Sequence, residues 1–194
     1  DQIVMKDQYI GWAHYWLHFS AATAIQNLQV WRFIGCQFIH ANLVHLLFNM
    51  FMLYMFGRIV EMFLGARRYL GFYLLCGIAG PIGYCGLWAA GWLVSHPVTP
   101  LVGASAGVFG VLIAVTVMAP DAQVLVFGLF PAKLREVSFI LIFVAVYAVI
   151  FWGHSDRGNA GGEAAHLGGA AAGYLLFKHR KLLNIFGRPL ATGR

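Results

Sequence analysis

The chain has 194 residues, of which 60% are hydrophobic and 10% are charged, and its formal net charge is +6. Soluble domains contain about 25% charged residues, so this composition excludes an ordinary water-soluble globule. The apolar residues form long blocks of the length that crosses a bilayer. These blocks predict a polytopic, all-α membrane protein. The positive charges lie in short loops, where they indicate orientation within the lipid bilayer rather than nucleic-acid binding.

The first segment, residues 1–37, mixes polar and aromatic residues, including Trp12 and Trp16. Aromatic side chains of this kind are typical of the headgroup level of a bilayer. We therefore predict an interfacial loop on the outer face. Residues 38–178 are predicted to form a helical bundle and residues 179–194 a cytoplasmic tail, so that 1–194 is a single membrane domain.

Five apolar blocks follow the head in chain order. The predicted spans are 38–57, 69–90, 101–119, 137–152 and 163–177. The fifth is rich in glycine and alanine, so its hydropathy is weak. Residues 122–132 are apolar but too short to cross a bilayer, and they are predicted to form a loop that dips into the membrane or lies on it.

The distribution of lysine and arginine predicts the orientation. Three of the thirteen lie in the head and in alternate loops, near 91–100 and 153–160, and ten lie on the other side. The positive-inside rule then places the first residues outside and the C-terminus in the cytoplasm, in what we expect to be a bacterial inner membrane. The chain begins at Asp1 without a leader sequence, so a sixth helix, entering from the cytoplasm, is expected upstream.

Ser105 and His166 are predicted to meet in the outer leaflet, because the third and fifth spans run in the same direction. Ser105 lies in the sequence Gly-Ala-Ser-Ala-Gly, and near a helix start its N–H has no acceptor within the helix. His166 lies beside small residues at every fourth position, which let a neighbouring helix approach closely. A neutral imidazole at that place can accept the proton of a serine hydroxyl.

His45 and Asn49 of the first span are expected at a similar depth. They lie four residues apart and so share one helix face. Both side chains can donate hydrogen bonds to a tetrahedral oxyanion. The structural alternative for His45, Asn49 and His166 is a hydrogen bond between helices. For Ser105 it is an ordinary helix-packing surface made by the run of small residues.

Glu163 is the only acid near His166 in the sequence. It either orients the imidazole or interacts with the dipole at the start of its helix, and its position favours the second role. The residues therefore favour a Ser–His dyad over a triad. The three cysteines, Cys36, Cys76 and Cys85, have no metal-ligand spacing and are predicted to be packing residues. No metal or cofactor is expected.

Several motifs occur together in a specific order. They are Trp31-Arg32, His40, His45 through Asn49, Gly57 through Glu61, Gly103-Ala104-Ser105, and Gly161 through Gly169 around His166. In this order, over residues 30–178, the sequence resembles the rhomboid family of intramembrane serine proteases. The resemblance implies a six-helix fold with Ser105 as nucleophile, His166 as general base, and His45, Asn49 and the Ser105 amide as the oxyanion hole.

The resemblance also implies that the head is a membrane-embedded loop and that 153–160 belong to a mobile cap over the site. Phe109 stands where many members carry a tyrosine that stacks on the catalytic histidine. The predicted activity is hydrolysis of peptide bonds in or near transmembrane segments of other membrane proteins. Two other hypotheses are a family member that only binds membrane clients, which the complete Ser–His–Asn set disfavours, and a transporter that uses His40, His45 and His166 as a relay.

Overall fold

The computed structural model describes residues 11–93, 97–126, 128–155 and 158–187. Parts of the predicted interfacial head, of both outer loops and of the cytoplasmic tail lie outside the described residues. Four of the thirteen cations counted for orientation are among them: Lys6, Arg157, Arg188 and Arg194.

The described part of the chain is mostly helical. The head contains α1 (Trp12–Leu17), a π turn (Ala22–Gln26), α2 (Arg32–Gly35) and a 3-10 turn (Cys36–Phe38). The first long rod consists of α3 (Leu43–Met52), a π turn (Leu53–Gly57) and α4 (Arg58–Leu64). The remaining helices are α5 (Ala66–Ala89), α6 (Ser105–Met118), α7 (Leu134–Trp152), α8 (Ala160–Lys178) and a final 3-10 helix (Arg180–Phe186).

Three helical rods among the described residues are long and apolar enough to cross a membrane: Leu43–Leu64, Ala66–Ala89 and Leu134–Trp152. They correspond to the first, second and fourth predicted spans. The third predicted span is a helix of only 14 residues, fewer than the roughly 20 that a full crossing needs. The fifth is a helix of 19 residues, less apolar because of its glycine and alanine content. The chain is a multi-pass helical membrane protein.

Most span boundaries differ from the prediction by a few residues, and two of these shifts have a clear physical reason. The first rod continues past the predicted end at Gly57 to Leu64, because charged residues in the last turns of a span can extend their heads to the interface. Gly65, with φ of +80°, then ends it in a conformation that suits glycine. The fifth span begins at Ala160 rather than at 163, because the Asn159 side chain accepts a hydrogen bond from the Gly162 N–H and caps the helix.

Residues 122–132, predicted to be a loop, instead form a β-hairpin. Strand β1 (Gln123–Val126) pairs antiparallel with β2 (Phe130–Lys133), and Gly128 adopts a positive φ of +70° in the turn. The strand residues are apolar and partly β-branched, and a glycine stands between them, which is the pattern of a hairpin. The length of the segment alone does not reveal this pattern. The all-α prediction is therefore wrong for this segment, which adds a two-stranded sheet to the helices.

The described part of the head is likewise folded rather than a plain loop. Arg32 is only 3% exposed. Its guanidinium donates to the carbonyl oxygens of Tyr15 (3.0 Å) and His18 (2.7 Å) and to Oε1 of Gln29 (2.6 Å). These neutral acceptors satisfy a charge that would be costly to bury alone. The same burial lowers the pKa of the His18 imidazole, which favours its neutral form beside Arg32.

Helix α8 lies at the centre of the bundle and packs against α5, α6 and α7. Its small residues face α6: a Cβ at Gly173 would come within 2.5 Å of Gly110 Cα, and one at Gly169 would collide with the Ala106 carbonyl oxygen. This arrangement confirms that the small-residue stripe permits a close helix approach. This close contact between α8 and α6 fixes the distance between the second turn of α8 and the first turn of α6.

Replacing Gly173 by alanine should therefore destabilise the bundle, whereas replacing Gly86 should not. The added methyl group at 173 meets the backbone of α6, and overpacking of this kind costs about 1–3 kcal/mol. Gly86 lies on α5 with nothing within 4 Å of an added Cβ, and alanine suits a helix better than glycine. Thermal unfolding of both variants in detergent should show a lower Tm for Gly173→Ala only. Equal Tm values would contradict a rigid α6–α8 contact.

Candidate active site

Ser105 and His166 are hydrogen-bonded across two helices. Ser105 is the first residue of α6 and His166 is the seventh residue of α8. The distance from Ser105 Oγ to His166 Nε2 is 2.7 Å. The structure thus joins the two side chains that the sequence predicts to meet. Ser105 lies closer to the start of its helix than predicted, and His166 lies further from the start of its helix.

The backbone before Ser105 is shaped by Gly103. This residue has a φ of +122°, which favours glycine, and a Cβ there would lie 2.7 Å from His45 Cε1. Its N–H donates to the Cys36 carbonyl oxygen at 2.8 Å. Gly103 therefore lets the His45 ring reach the loop that leads into Ser105. The Ser105 N–H, at the first position of a helix, has no carbonyl one turn earlier within the helix.

His45 and Asn49 lie on one face of α3, as their spacing predicts. Asn49 is 2% exposed, and its Nδ2 donates to the His45 carbonyl oxygen at 2.9 Å. An asparagine amide has two N–H donors, so one bond within the helix leaves a second donor. Asn42 caps α3 by accepting the His45 N–H at 2.8 Å. The structure brings His45 to the Ser105 loop and holds Asn49 one turn further along the same helix.

His40 supports this loop in a way that the sequence analysis did not identify. Its Nε2 accepts a long hydrogen bond from the Ala104 N–H at 3.4 Å, and its ring stands edge-on to His45 with centroids 5.0 Å apart. Its carbonyl oxygen lies 3.0 Å from His14 Nε2. The head segment is thus connected through His40 to the residue immediately before Ser105. Only a long-range contact reveals this role, since His40 and Ala104 are 64 residues apart.

Glu163 contacts His166 directly. The distance from Glu163 Oε2 to His166 Nδ1 is 2.9 Å. Glu163 also belongs to the first turn of α8, so the favoured prediction of a helix-dipole role describes its position but omits its contact. The structure has a chain of hydrogen bonds from Ser105 through His166 to Glu163, while the assignment of a Ser–His dyad stays a prediction.

Phe109 stacks on the imidazole of His166. The two ring centroids are 4.3 Å apart and the planes differ by 8°. Phe109 is one helical turn after Ser105, so the ring reaches the histidine from the same helix that carries the hydroxyl. This confirms that a phenylalanine can stack here. The contact holds the ring plane that the two hydrogen bonds of His166 share.

The site is accessible without being open. The side chains of His166 and Glu163 are 17% and 22% exposed. A cavity of about 30 Å³ adjoins Ser105 and is also lined by Cys36, Gly77 and Gly162. Burial raises the pKa of the Cys36 thiol to about 12, so this neighbour stays protonated and is a poor nucleophile. Among the described residues, no three His, Cys, Asp or Glu side chains cluster as a metal site would require.

The fold and this site together define a class: a multi-pass helical membrane protein in which a serine at the start of one helix is hydrogen-bonded to a histidine in the second turn of another. The rhomboid domain family matches residues 27–179. The chain belongs to the rhomboid family.

Two relatives illustrate the similarity. The chain is 34% identical over 148 residues to "Rhomboid protein 1, mitochondrial" of Saccharomyces cerevisiae, covering 73% of this chain and 39% of that protein. It is 31% identical over 158 residues to "Rhomboid-like protein 11, chloroplastic" of Arabidopsis thaliana, covering 77% of this chain and 52% of that protein. The similarity thus spans about half or less of these relatives.

Removing the aromatic ring at Phe109 should slow the reactivity of Ser105. A stacked ring pair contributes about 0.5–1.5 kcal/mol, which corresponds to roughly a 2- to 12-fold change in rate if the contact holds the imidazole in its reactive orientation. Phe109→Leu should lower the rate of labelling by a fluorophosphonate probe by that amount, and Phe109→Tyr should keep it. Labelling of Phe109→Leu at the wild-type rate would show that the two hydrogen bonds alone orient His166.

Proposed function

We propose that the chain is an intramembrane serine protease that cleaves peptide bonds in or near transmembrane segments of membrane-protein substrates. The single observation that carries the proposal is the 2.7 Å hydrogen bond between Ser105 Oγ and His166 Nε2. A hydroxyl paired with an imidazole is the arrangement of an activated nucleophile. Membership of the rhomboid family, whose members are typically serine proteases, supports the same chemistry.

In this proposal five helices cross the bilayer, namely the three long rods together with α6 and α8. The orientation rests on the excess of cations on one side, so Ser105 and His166 face the outer leaflet of a bacterial inner membrane and the C-terminus is cytoplasmic. Helix α6 is about 21 Å long at 1.5 Å per residue, shorter than a hydrocarbon core of about 30 Å. Because α6 is shorter than the hydrocarbon core and begins at Ser105, Ser105 would lie below the membrane surface but close enough to it for water to reach the site.

The reaction would begin when Ser105 Oγ attacks the carbonyl carbon of the scissile bond and its proton passes to His166 Nε2. The resulting oxyanion would accept hydrogen bonds from the Ser105 N–H and from the side chains of His45 and Asn49. His166 would then give the proton to the leaving nitrogen, the C–N bond would break, and an acyl ester would remain on Ser105.

Water would complete the cycle. It would attack the ester carbonyl and give a proton to His166 Nε2. The bond to Ser105 Oγ would then break, His166 would return the proton to Oγ, and the second product would leave as the free acid. The cavity of about 30 Å³ beside Ser105 is large enough for a water molecule. No step of this scheme needs a cofactor.

Ser105→Ala and His166→Ala should each abolish cleavage of a single-span substrate, because both side chains act in the same step. The double variant should be no slower than either single variant, since effects within one catalytic unit are not additive. The measurement is turnover by purified protein in detergent or liposomes, with helical circular dichroism as the control for folding. Retention of more than about one hundredth of wild-type turnover by either folded variant would refute the assignment.

His45→Ala and Asn49→Ala should lower kcat by roughly 10- to 1000-fold and leave KM nearly unchanged, because each removes one donor to the oxyanion. Asn42→Ala is the matched control. It removes the cap of the same helix without removing either donor. It should therefore lower Tm while kcat stays close to the wild-type value. A large rise in KM with unchanged kcat would instead assign His45 and Asn49 to substrate binding.

A further inference from the structure

The two ring nitrogens of His166 have different partners. Nδ1 lies 2.9 Å from Glu163 Oε2, and Nε2 lies 2.7 Å from Ser105 Oγ. A neutral imidazole has one N–H donor and one acceptor nitrogen, while an ionised carboxylate only accepts. The proton of the neutral ring therefore belongs on Nδ1. The Nε2 lone pair then faces the serine hydroxyl, which is the tautomer that a general base needs.

We propose that Glu163 is a positioning residue of the site: its carboxylate holds the Nδ1–H tautomer of His166 and stabilises the imidazolium that forms when Nε2 takes the serine proton. This inference rests on the proposed protease function. No proton needs to reach Glu163. The proton moves between Ser105 Oγ, His166 Nε2 and the leaving nitrogen, and the carboxylate stays ionised throughout.

The surroundings of His166 leave this task to Glu163 among the described residues. From α6, Ser105 and Phe109 face the ring, and His45 of α3 lies beside the Ser105 loop. On α5, Tyr84 lies beside Gly161 in the first turn of α8. The other described carboxylates lie elsewhere. Glu61 is on α4, Asp121 pairs with Lys133 and Arg135 before β1, and Glu136 accepts the Lys133 N–H at the start of α7.

A second role for Glu163 makes different predictions. An acid in the first turn interacts favourably with the helix dipole, and that role would act on the stability of α8 alone. A positioning role instead acts on the base. It should lower kcat while KM stays nearly unchanged, and that split is not what a weakened helix cap produces.

The decisive variant is Glu163→Gln in the full chain, assayed with a single-span substrate over a range of pH. We expect kcat on the alkaline plateau to fall by about 10- to 10,000-fold with KM within about threefold of wild type.

Two further variants separate positioning from helix stability. Asn159→Ala removes the cap of α8, where the Asn159 side chain accepts a hydrogen bond from the Gly162 N–H at 3.3 Å. This variant should lower Tm while leaving kcat nearly unchanged. Glu163→Asp keeps a charge in the first turn but shortens the side chain by one methylene group. It should preserve the dipole interaction, weaken the contact with Nδ1 and lower kcat.

The outcomes distinguish this inference from the proposed function. If Ser105→Ala is inactive and Glu163→Gln has the kcat of the wild type, the inference is overturned and the protease assignment stands. If Ser105→Ala keeps wild-type turnover, the protease assignment fails and the inference fails with it. If Glu163→Gln does not fold, Glu163→Asp decides, and wild-type kcat in that variant overturns the positioning role.

Discussion

The close approach of α8 to α6 is the constraint on which the rest of the site depends. Gly173 faces Gly110 and Gly169 faces Ala106, so the two backbones meet without intervening side chains. A serine Oγ and an imidazole Nε2 on different helices reach 2.7 Å only if the helix axes lie this close. Because the contact is between backbones, no side-chain rotation can change the distance between the two helices. Ser105 and His166 are therefore held in one relative position.

A second constraint comes from the head, which is joined to the loop before Ser105. Arg32 gathers the carbonyl oxygens of Tyr15 and His18, and the backbones of Phe19 and Leu101 pair through two hydrogen bonds of 2.7 and 3.1 Å. A buried guanidinium without these acceptors would be strongly destabilising. The head is therefore fixed by the burial of a charge, and through His14 and His40 that order extends to Ala104.

Much of this arrangement follows from the sequence, because in membranes the apolar blocks and the small-residue stripe report geometry directly. The pairing of Ser105 with His166 follows from the direction and depth of their spans, and the shared face of His45 and Asn49 follows from their helical spacing. The stacking of Phe109 follows from the family resemblance. The hairpin is not predicted by the length of its segment, which is too short to span, because its signal lies in the β-branched residues and the glycine. The sequence favours a helix-dipole role for Glu163 over a contact with His166, because the predicted fifth span begins at Glu163. Once the Asn159 cap moves the start to Ala160, the i, i+3 spacing places the carboxylate beside the ring.

The polar groups of the site also explain how it can exist inside an apolar bundle. Unpaired polar groups and charges are expensive in a medium of low dielectric constant. Three pairs reduce that cost here: Ser105 with His166, His166 with Glu163, and the Asn49 amide with the His45 carbonyl. The same hydrogen bonds that prepare a hydroxyl for attack therefore reduce the cost of burying it. A water-soluble site can exchange a lost partner for solvent, but a site at the first turn of a short membrane helix has limited access to water. Its geometry is consequently assembled before any substrate arrives, and preorganised donors of this kind need no reorganisation when charge develops.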